Sequence, residues 1–380
     1  MNKENMIYQG YKLPLYPTKE QKEKLEVIFN AKIKIYNWAW EQQKNLLEKE
    51  EKILSRIPLR NKYVEMAKEN EEFSWMLGTV PDHISYFAID DLNNQIKRVL
   101  TKKASKVSFK SVKDKHKTFS QRNDIKLFKN GKVQISKIGL VKTSKHMINR
   151  VPEIPNKKYL ASIRITKNND NYYISFNVLQ EKKPLNKKGE VIGIDLGITK
   201  LMVTSEGYEV NRPDSLVRVY EKKLRRLKRR AGKVYRSGKR SKNLDKLEKE
   251  ISKISKKIEN VLNDNINKEI AFILSSNPKA IVMEDLAVSN MVKNRHVSRQ
   301  LNRAKFRYIR DQFQYRCERQ GIDFMLADRY YPSSKICSSC KEKNKLGKGQ
   351  RTYKCKNCGL EIDRDLNASI NLKNLYYTKK

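Results

Sequence analysis

Three acidic residues lie in segments where a carboxylate is costly unless it is paired or binds a cation. Asp195 interrupts the apolar stretch VIGIDLG, Glu284 ends the apolar stretch AIVME, and Asp365 begins the helical segment DLNASIN. A buried carboxylate needs a charged partner or a metal ion. Mg²⁺ binds a few carboxylates together with water and phosphate oxygens, and two such ions together promote phosphodiester hydrolysis. The three acids therefore indicate a two-magnesium site that acts on a nucleic acid.

Each segment also has a plainer interpretation when it is taken alone. An acid at the end of a strand commonly caps a turn or pairs with a basic residue. Asp-Leu-Gly followed closely by threonine also occurs in actin-like ATPases, but these proteins need a second phosphate loop of the Asp-x-Gly-x-Gly kind, which the sequence lacks. The three acids in this order, with a basic insert after the first, are much more specific than any one of them.

Polar neighbours compete with the three acids for a role in this site. Asp363 and Asp365, two residues apart on a helix, point about 200° away from each other, so we expect Asp365 to bind metal and Asp363 to be an N-cap or entry residue. Asp285 follows Glu284 on a strand, so it should face the other way and cap or pair. Asn367 either orients the carboxylates or a phosphate, or is a surface amide.

Four cysteines predict a metal site of a different kind. They form two Cys-x-x-Cys pairs that are fourteen residues apart: Cys337 with Cys340, and Cys355 with Cys358. Four thiolates suit one tetrahedral structural Zn²⁺, and so small a module depends on the metal for folding. The module should place Asp365. The first pair lacks the glycine that often follows the second cysteine, which should alter the turn but not the ligation. Cys317 is expected to be a plain buried thiol.

The composition points to a polyanionic partner. Lys and Arg outnumber Asp and Glu by 83 to 42 in the 380 residues, which gives a net charge of +41. Such an excess repels itself unless it is neutralised, and nucleic acid is favoured over a membrane surface. The chain has no run of 18 apolar residues and no apolar signal-peptide core near its start. Its five cysteines, in a long chain without a secretion signal, favour a reducing, cytoplasmic compartment.

The N-terminal 185 residues are predicted to combine helices with a small β module. A strand that ends at Pro17 precedes a capping box of Thr18 and Gln21, which begins a long amphipathic helix. A second helix follows Pro81, and Asn130-Gly131 marks a hairpin turn. The segment ASIRITKNNDNYYISFNVL should form another hairpin. Four aromatic residues are expected mostly in the core, with base stacking as the alternative: Tyr16, Tyr36, Trp38 and Trp40. The segment QEKKPLNKKGE should be a linker.

The second half should begin with two buried strands joined by a tight turn, in VIGIDLGITKLMVTSEGYEV. A basic run over residues 222–242, with twelve Lys and Arg and no acid, leads into a long helical hairpin. The stretches PKAIVMEDL and IDFMLADRY are predicted strands, and a helix closes the chain. The basic run is expected either to lie along nucleic acid or to form a solvated helix face. The candidate contacts are Lys222, Lys223, Arg225, Arg226, Arg229 and Arg230.

Taken together, these motifs resemble the TnpB family, transposon-encoded RNA-guided nucleases related to compact type V CRISPR effectors. The resemblance is carried by YKLPLYPTKEQ, YNWAW, GIDLGITKLMVTS, IVMEDLAVSNMVKN, YYPSSKICSSC and CKNCGLEIDRDLNASIN. These segments extend over almost the whole chain, and the last three are highly specific in this order.

The resemblance implies a multidomain α+β fold. A RuvC-like, RNase H-fold nuclease domain with an inserted zinc ribbon would follow a helical recognition lobe and a β-barrel wedge domain. The implied boundaries are residues 1–15 and 105–185 for the wedge domain, 16–104 for the recognition domain, 186–335 for the nuclease domain with its basic helical insert at 215–265, 336–361 for the zinc ribbon, and 362–380 for the final helix and tail.

The resemblance also implies RNA-guided cleavage of double-stranded DNA beside a short target-adjacent motif, with a guide RNA from the element's own end. Asp195, Glu284 and Asp365 take the catalytic positions that hold two Mg²⁺, and the four paired cysteines take the positions that hold one Zn²⁺. A monomer would suffice for one such site. The alternatives are a catalytically silent RNA-guided regulator, a compact type V CRISPR effector, and a guide-independent nuclease. The intact acids argue against the regulator.

Overall fold

The computed structural model describes residues 6–122, 125–185, 188–236, 241–286, 295–344, 347 and 350–378. The chain divides into two compact units, an N-terminal unit of residues 1–181 and a C-terminal unit of residues 182–380. The boundary falls within the predicted linker, of which residues 186 and 187 lie outside the described residues. Across the described residues, every helix is too short or too polar to cross a lipid bilayer.

The N-terminal unit contains a helical layer that the sequence predicted in part. The capping box is confirmed: the Thr18 hydroxyl accepts from the Gln21 N–H, and the Gln21 side chain accepts from the Thr18 N–H. The helix that follows and the helix after Pro81 are confirmed. The three helices between them, one of 14 residues and two of 4 residues each, were not predicted. The helices are α1 (Lys19–Glu48), α2 (Arg56–Glu69), α3 (Glu71–Ser74), α4 (Met76–Thr79), α5 (His83–Leu100) and α6 (Lys145–Ile148).

The same unit carries one antiparallel seven-stranded sheet. Its strands are β1 (Met6–Tyr16), β2 (His116–Ser120), β3 (Lys126–Phe128), β4 (Lys132–Ile135), β5 (Gly139–Thr143), β6 (Leu160–Asn168) and β7 (Asn171–Glu181). The order is β2-β6-β7-β1-β5-β4-β3. Both predicted hairpins are confirmed, as β3–β4 and β6–β7. Gly131 takes a φ of 89° at the first turn, a conformation that glycine tolerates best.

Charged groups join the first long helix to the sheet and to α5. Lys32 is buried and pairs with Asp91 of α5. Glu26 of α1 accepts from Lys117 at 2.9 Å and also pairs with Lys167 of β6. Burial alone would raise the pKa of Glu26, but these two ammonium groups hold it below its usual value. Tyr36 is buried, and Trp38 and Trp40 pack against the same core, as expected, whereas Tyr16 is exposed.

The C-terminal unit is built on a five-stranded sheet with the order β10-β9-β8-β11-β12. The segment expected to hold two strands holds three, because the chain turns back once more at Gly207. The strands are β8 (Val191–Leu196), β9 (Met202–Thr204), β10 (Glu209–Val210), β11 (Ala280–Glu284) and β12 (Asp323–Ala327). β8, β11 and β12 are parallel, and β9 and β10 are antiparallel to their neighbours.

Helices cover this sheet, and a short hairpin follows it. The predicted helical hairpin is confirmed as α7 (Asp214–Arg236) and α8 (Lys242–Ser275), with residues 237–240 outside the described part. The other helices are α9 (Arg295–Ala304), α10 (Phe306–Gln320) and α11 (Arg364–Thr378). Cys317 of α10 is fully buried, as expected. The last two strands, β13 (Thr352–Lys354) and β14 (Glu361–Asp363), pair antiparallel.

The final helix crosses β8 at Gly193. A Cβ at this position would lie 2.0 Å from the Ser369 carbonyl oxygen and 2.5 Å from the Lys373 nitrogen. Only glycine therefore lets the backbone of α11 come so close to the strand. Asp365 is one helical turn before Ser369, so this contact brings the start of α11 toward the end of β8.

Candidate active site and zinc centre

Two of the predicted acids lie at the same edge of the C-terminal sheet. β8 and β11 are parallel neighbours in which Ile194 pairs with Met283. The next residue on each strand is an acid, Asp195 on β8 and Glu284 on β11. The carboxyl ends of adjacent parallel strands thus bring these two side chains together, as binding sites of open parallel sheets commonly do.

The third acid, Asp365, lies in the first turn of α11, one helical turn before the contact of that helix with β8 at Gly193. Burial raises the pKa of Asp195 well above its usual value, and the charges of Glu284 and Asp365 raise it further. Arg364 is the cation that opposes these effects. A carboxyl group that is buried and repelled by other acids is a group that a divalent cation would stabilise. The chemistry of this donor set fits Mg²⁺.

Each of the other two acids is engaged by protein groups. The Ser333 hydroxyl donates to the Glu284 carboxylate. Asp365 accepts from Arg364 at 3.0 Å and lies 3.7 Å from the Arg351 guanidinium. Burial raises the pKa of Glu284, and the bond from Ser333 opposes that shift. Among the described residues, the group of ligand side chains close enough to hold a metal ion as it stands is the cysteine cluster described below, and the three acids do not form such a group.

The interpretations of the neighbouring aspartates are confirmed. Asp363 caps α11, because its carboxylate accepts from the N–H groups of Asp365 and Leu366 at 2.9 and 3.1 Å. Burial alone would raise the pKa of Asp363, but Lys200 and these N–H groups hold it below its usual value. Asp285 pairs instead of joining the site, with Arg329 at 2.7 Å and Arg310 at 3.4 Å.

The four paired cysteines form a compact cluster. Their sulfurs all lie within 4.8 Å of one another, with 3.6 Å between Cys337 and Cys358 and 3.5 Å between Cys340 and Cys355. Ligands of a tetrahedral zinc ion with Zn–S bonds of about 2.3 Å stand about 3.8 Å apart, so the cluster fits zinc. Backbone N–H groups of Cys358 and Asn357 lower the pKa of Cys355 to about 6, whereas burial raises that of Cys337 to about 11.

The two cysteine turns have the same shape, so the expected difference between them is wrong. Gly359 follows the second pair with a φ of 74°, and Lys341 follows the first pair with a φ of 64°. Each turn closes with an N–H bond back to the first cysteine, Lys341 to Cys337 and Gly359 to Cys355, both at 3.1 Å. Lysine thus takes the left-handed conformation at a cost of about 1–2 kcal/mol, and the bond to the cysteine compensates.

Asn367 has a role that neither sequence interpretation gave. Its side chain is fully buried and is hydrogen-bonded to the first cysteine turn, accepting from the Ser338 N–H at 2.9 Å and donating to the Ile336 carbonyl at 2.7 Å. Asn371, one turn later, donates to the Ser333 and Ile336 carbonyls at 2.9 and 2.6 Å. The spacing of two asparagines by four residues on an otherwise apolar helix face was the available signal. Together they join α11 to the zinc module.

The basic run lies along α7 with its charges outward. The six candidate contact residues of this helix are all exposed. Leu227 and Ala231 are buried on the opposite face, and Lys223 pairs with Glu250 of α8 at 2.8 Å. Residues 237–240, which belong to the same run, lie outside the described residues. The helix therefore presents a dense positive surface on the C-terminal unit.

The chain is similar in sequence to several known proteins. "TnpB-like protein MJ0751" of Methanocaldococcus jannaschii is 30% identical over 269 residues, which are 69% of this chain and 83% of that protein. The chain belongs to the TnpB family. Another relative of this TnpB chain is "Putative RNA-guided DNA endonuclease" of Streptomyces pristinaespiralis, 25% identical over 96% of this chain and 89% of that protein.

Family models match three parts of this TnpB chain. They are "Probable transposase" over residues 174–295, "Cas12f1-like, TNB domain" over 306–372, and "Helix-turn-helix domain" over 6–52. The last segment forms a strand and one long helix here. The "Cryo-EM structure of the Cas12f1-sgRNA-target DNA complex" contains a chain with the same fold, with a TM-score of 0.59, 12% identity, and coverage of 97% of this chain and 99% of that one.

Proposed function

We propose that this chain is an RNA-guided DNA endonuclease of a mobile element, which cleaves double-stranded DNA next to a short target-adjacent motif. The observation that carries the proposal is that Asp195 and Glu284 end adjacent parallel strands, and that α11, with Asp365 in its first turn, touches β8 at Gly193. It occurs in a chain with a net charge of +41, which suits a nucleic-acid substrate. The names of the relatives support guidance by RNA.

Asp195, Glu284 and Asp365 would hold two Mg²⁺. When bound, these ions would supply an activated water and stabilise the leaving oxygen of the phosphodiester. The chain's own contribution is to bring acids from two strands and one helix to the same sheet edge. Arg364 and Arg351 limit the repulsion around Asp365.

The zinc centre would serve as a scaffold rather than a reagent. Cys337, Cys340, Cys355 and Cys358 would hold one Zn²⁺ with all four positions filled by protein, the pattern of structural sites. The module joins the site at two points. β14 runs directly into the cap of α11, and Asn367 and Asn371 fix the segment that precedes Cys337.

The domain roles follow from the family. The C-terminal unit would be a RuvC-like, RNase H-fold nuclease with its zinc ribbon at 336–361. Its mixed sheet of three parallel strands, with two antiparallel strands at one edge, supports this assignment. The helices of the N-terminal unit would be the recognition domain. Its seven-stranded antiparallel sheet would be the β-barrel wedge. The guide RNA would come from the element's own end.

Cleavage by the purified complex tests the proposal. The chain is expressed with the DNA that flanks its gene, the copurifying RNA is sequenced, and matched plasmids are incubated with Mg²⁺. We expect guide-matched cutting that falls by about 10³-fold or more in Asp195→Ala, with RNA still bound. Asp285→Asn is the matched control, because Asp285 pairs away from the site. Cutting that ignores the guide would refute guidance, and target binding without cutting would support the silent regulator.

The basic helix has its own test. Replacing Arg225, Arg226, Arg229 and Arg230 by glutamine should weaken RNA or heteroduplex binding and reduce the slope of log K against log salt by about 0.7–0.9 for each lost phosphate contact. Fluorescence anisotropy at several salt concentrations measures the slope. An unchanged slope would place α7 outside the nucleic-acid path.

A further inference from the structure

Ser333 contacts one of the candidate acids directly. Its hydroxyl donates to Oε1 of Glu284, and the residue is only 2% exposed. Across the described part of the chain, this is the protein group that is hydrogen-bonded to the Glu284 carboxylate. Within the described residues, Oε2 of the same carboxylate accepts no hydrogen bond. One oxygen is therefore fixed by the protein while the other can face a cation.

The backbone of Ser333 is itself held on both sides. Its N–H donates to the Tyr331 carbonyl at 2.9 Å, and its carbonyl accepts from the Asn371 side chain at 2.9 Å. The same Asn371 amide also donates to Ile336, immediately before the first zinc cysteine. Ser333 is thus fixed in place by α11 and by the segment that leads into the zinc module.

We infer that Ser333 is a positioning residue, which holds the Glu284 carboxylate in the orientation that binds a divalent cation. The inference rests on the proposed function, because it takes Glu284 as a metal ligand. A glutamate at a strand end has several side-chain rotamers, and a fixed donor selects one of them. Groups that orient a metal ligand in this way typically change metal affinity or activity by 10–100-fold when they are removed.

The test compares direct cation binding with cleavage. Mn²⁺, which takes similar oxygen ligands, is titrated into the zinc-loaded full chain without nucleic acid, and free Mn²⁺ is counted by electron paramagnetic resonance. Ser333→Ala should weaken Mn²⁺ binding about 10-fold or more and shift the Mg²⁺ dependence of cleavage to higher concentration. Ser333→Thr, which keeps the hydroxyl, should restore both. Ser334→Ala is the matched control, because the Ser334 hydroxyl forms no hydrogen bond with any described residue.

A role in packing alone would give a different pattern. If Ser333 acts through Glu284, Ser333→Ala should not weaken Mn²⁺ binding further in a Glu284→Gln background. An equal loss in both backgrounds, or wild-type Mn²⁺ affinity in Ser333→Ala, would overturn the inference. If Ser333→Ala does not fold, Ser333→Cys takes its place, because a thiol is a poor donor of similar size.

The failure of the proposed function would look different from the failure of this inference. A wild-type complex that binds its RNA and does not cut matched DNA would contradict the proposed function. The Mn²⁺ titration would still decide whether Ser333 orients Glu284 toward a cation. Wild-type cutting, with Mn²⁺ binding that is indifferent to Ser333, would contradict the inference alone.

Discussion

The cysteine cluster and the acid cluster are candidate metal sites in the same unit, and they are built in opposite ways. The four sulfurs lie within 4.8 Å of one another. Glu284 is hydrogen-bonded to Ser333 and Asp365 is paired with Arg364, so these acids are engaged by protein groups. Desolvation and the charges of Glu284 and Asp365 raise the pKa of Asp195. The ligands of the cysteine site are already close together, whereas the carboxylates of the acid site repel one another.

This difference matches the chemistry expected of each site. A structural zinc ion needs four protein ligands and no open position, so the chain can gather all the ligands in advance. A catalytic pair of magnesium ions needs open positions for water and for phosphate oxygens. Carboxylates that are held individually leave that room. The contrast predicts that removing metal will unfold one site and leave the other folded.

The largest expected effect is that of losing zinc. Cys355→Ser should release the ion and unfold the ribbon, because structural zinc contributes an apparent binding free energy of about 10–16 kcal/mol. Zinc content by mass spectrometry and protease cleavage within residues 336–361 measure the two consequences. Removing Mg²⁺ should leave the ribbon resistant.

Cys317→Ala is the control for this experiment, since Cys317 is buried in α10 outside the cluster. It should keep one zinc per chain and a resistant ribbon. A Cys355→Ser protein with full zinc and a resistant ribbon would remove the contrast between the two sites.

A smaller effect is expected where the two sites are joined. Asn367→Ala would leave the Ser338 N–H without its side-chain partner, while the Ile336 carbonyl would keep the bond from Asn371. A buried polar group left unpaired costs about 1–3 kcal/mol. Chemical denaturation should show a loss of about that size. Zinc should stay bound, because the ligands are untouched.

Protease cleavage of the same variant shows whether the two sites unfold separately. In Asn367→Ala the ribbon should remain folded while the start of α11 becomes more accessible. A loss of zinc equal to that of Cys355→Ser would mean that the two sites form one cooperative unit, and the contrast between them would not hold.

The sequence predicted the cysteine site more completely than the acid site, because the two depend on contacts of different range. The cysteine cluster could be predicted because both pairs are local, so spacing alone limits the geometry. The convergence of the acids depends on strand pairing and on the close approach of α11 at Gly193, both of which join residues far apart in the chain. Only the apolar setting of each acid gave a local signal. Ser333 gave none, because a serine near a turn is usually a turn residue.

The N-terminal unit shows the same division. The capping box at Thr18 and the turn at Gly131 were predictable because each depends on a few adjacent residues. The short helices α3 and α4 were not, since each is a single turn whose stability comes from packing. The pairing of buried Lys32 with Asp91 joins α1 and α5 across many residues, and no local pattern marks it.

The smallest expected effect is a gain in stability from removing the central acid. The folded-state pKa of Asp195 is raised, so protonation of this group favours the folded chain. That stabilisation is fully present below the pKa of the unfolded chain and is lost as the pH rises through the pKa of the folded chain. At pH 7, where the aspartate of the unfolded chain is ionised, this raised pKa opposes folding, and Asp195→Asn should stabilise the Mg²⁺-free chain by about 0.5–2 kcal/mol. The difference should shrink as pH falls toward the usual pKa of aspartate, and thermal unfolding across that range measures it.

Asp285→Asn, at the position directly after Glu284, should change stability in the opposite direction. It removes ion pairs with Arg329 and Arg310, so it should destabilise the chain at pH 7. Mg²⁺ should raise the melting temperature of the wild type and leave that of Asp195→Asn nearly unchanged, because only the wild type then has its repulsion neutralised. If Asp195→Asn lowers stability at pH 7, the acids form a satisfied ion-pair network. The acid site then has no unfavourable repulsion, and the contrast with the cysteine site fails.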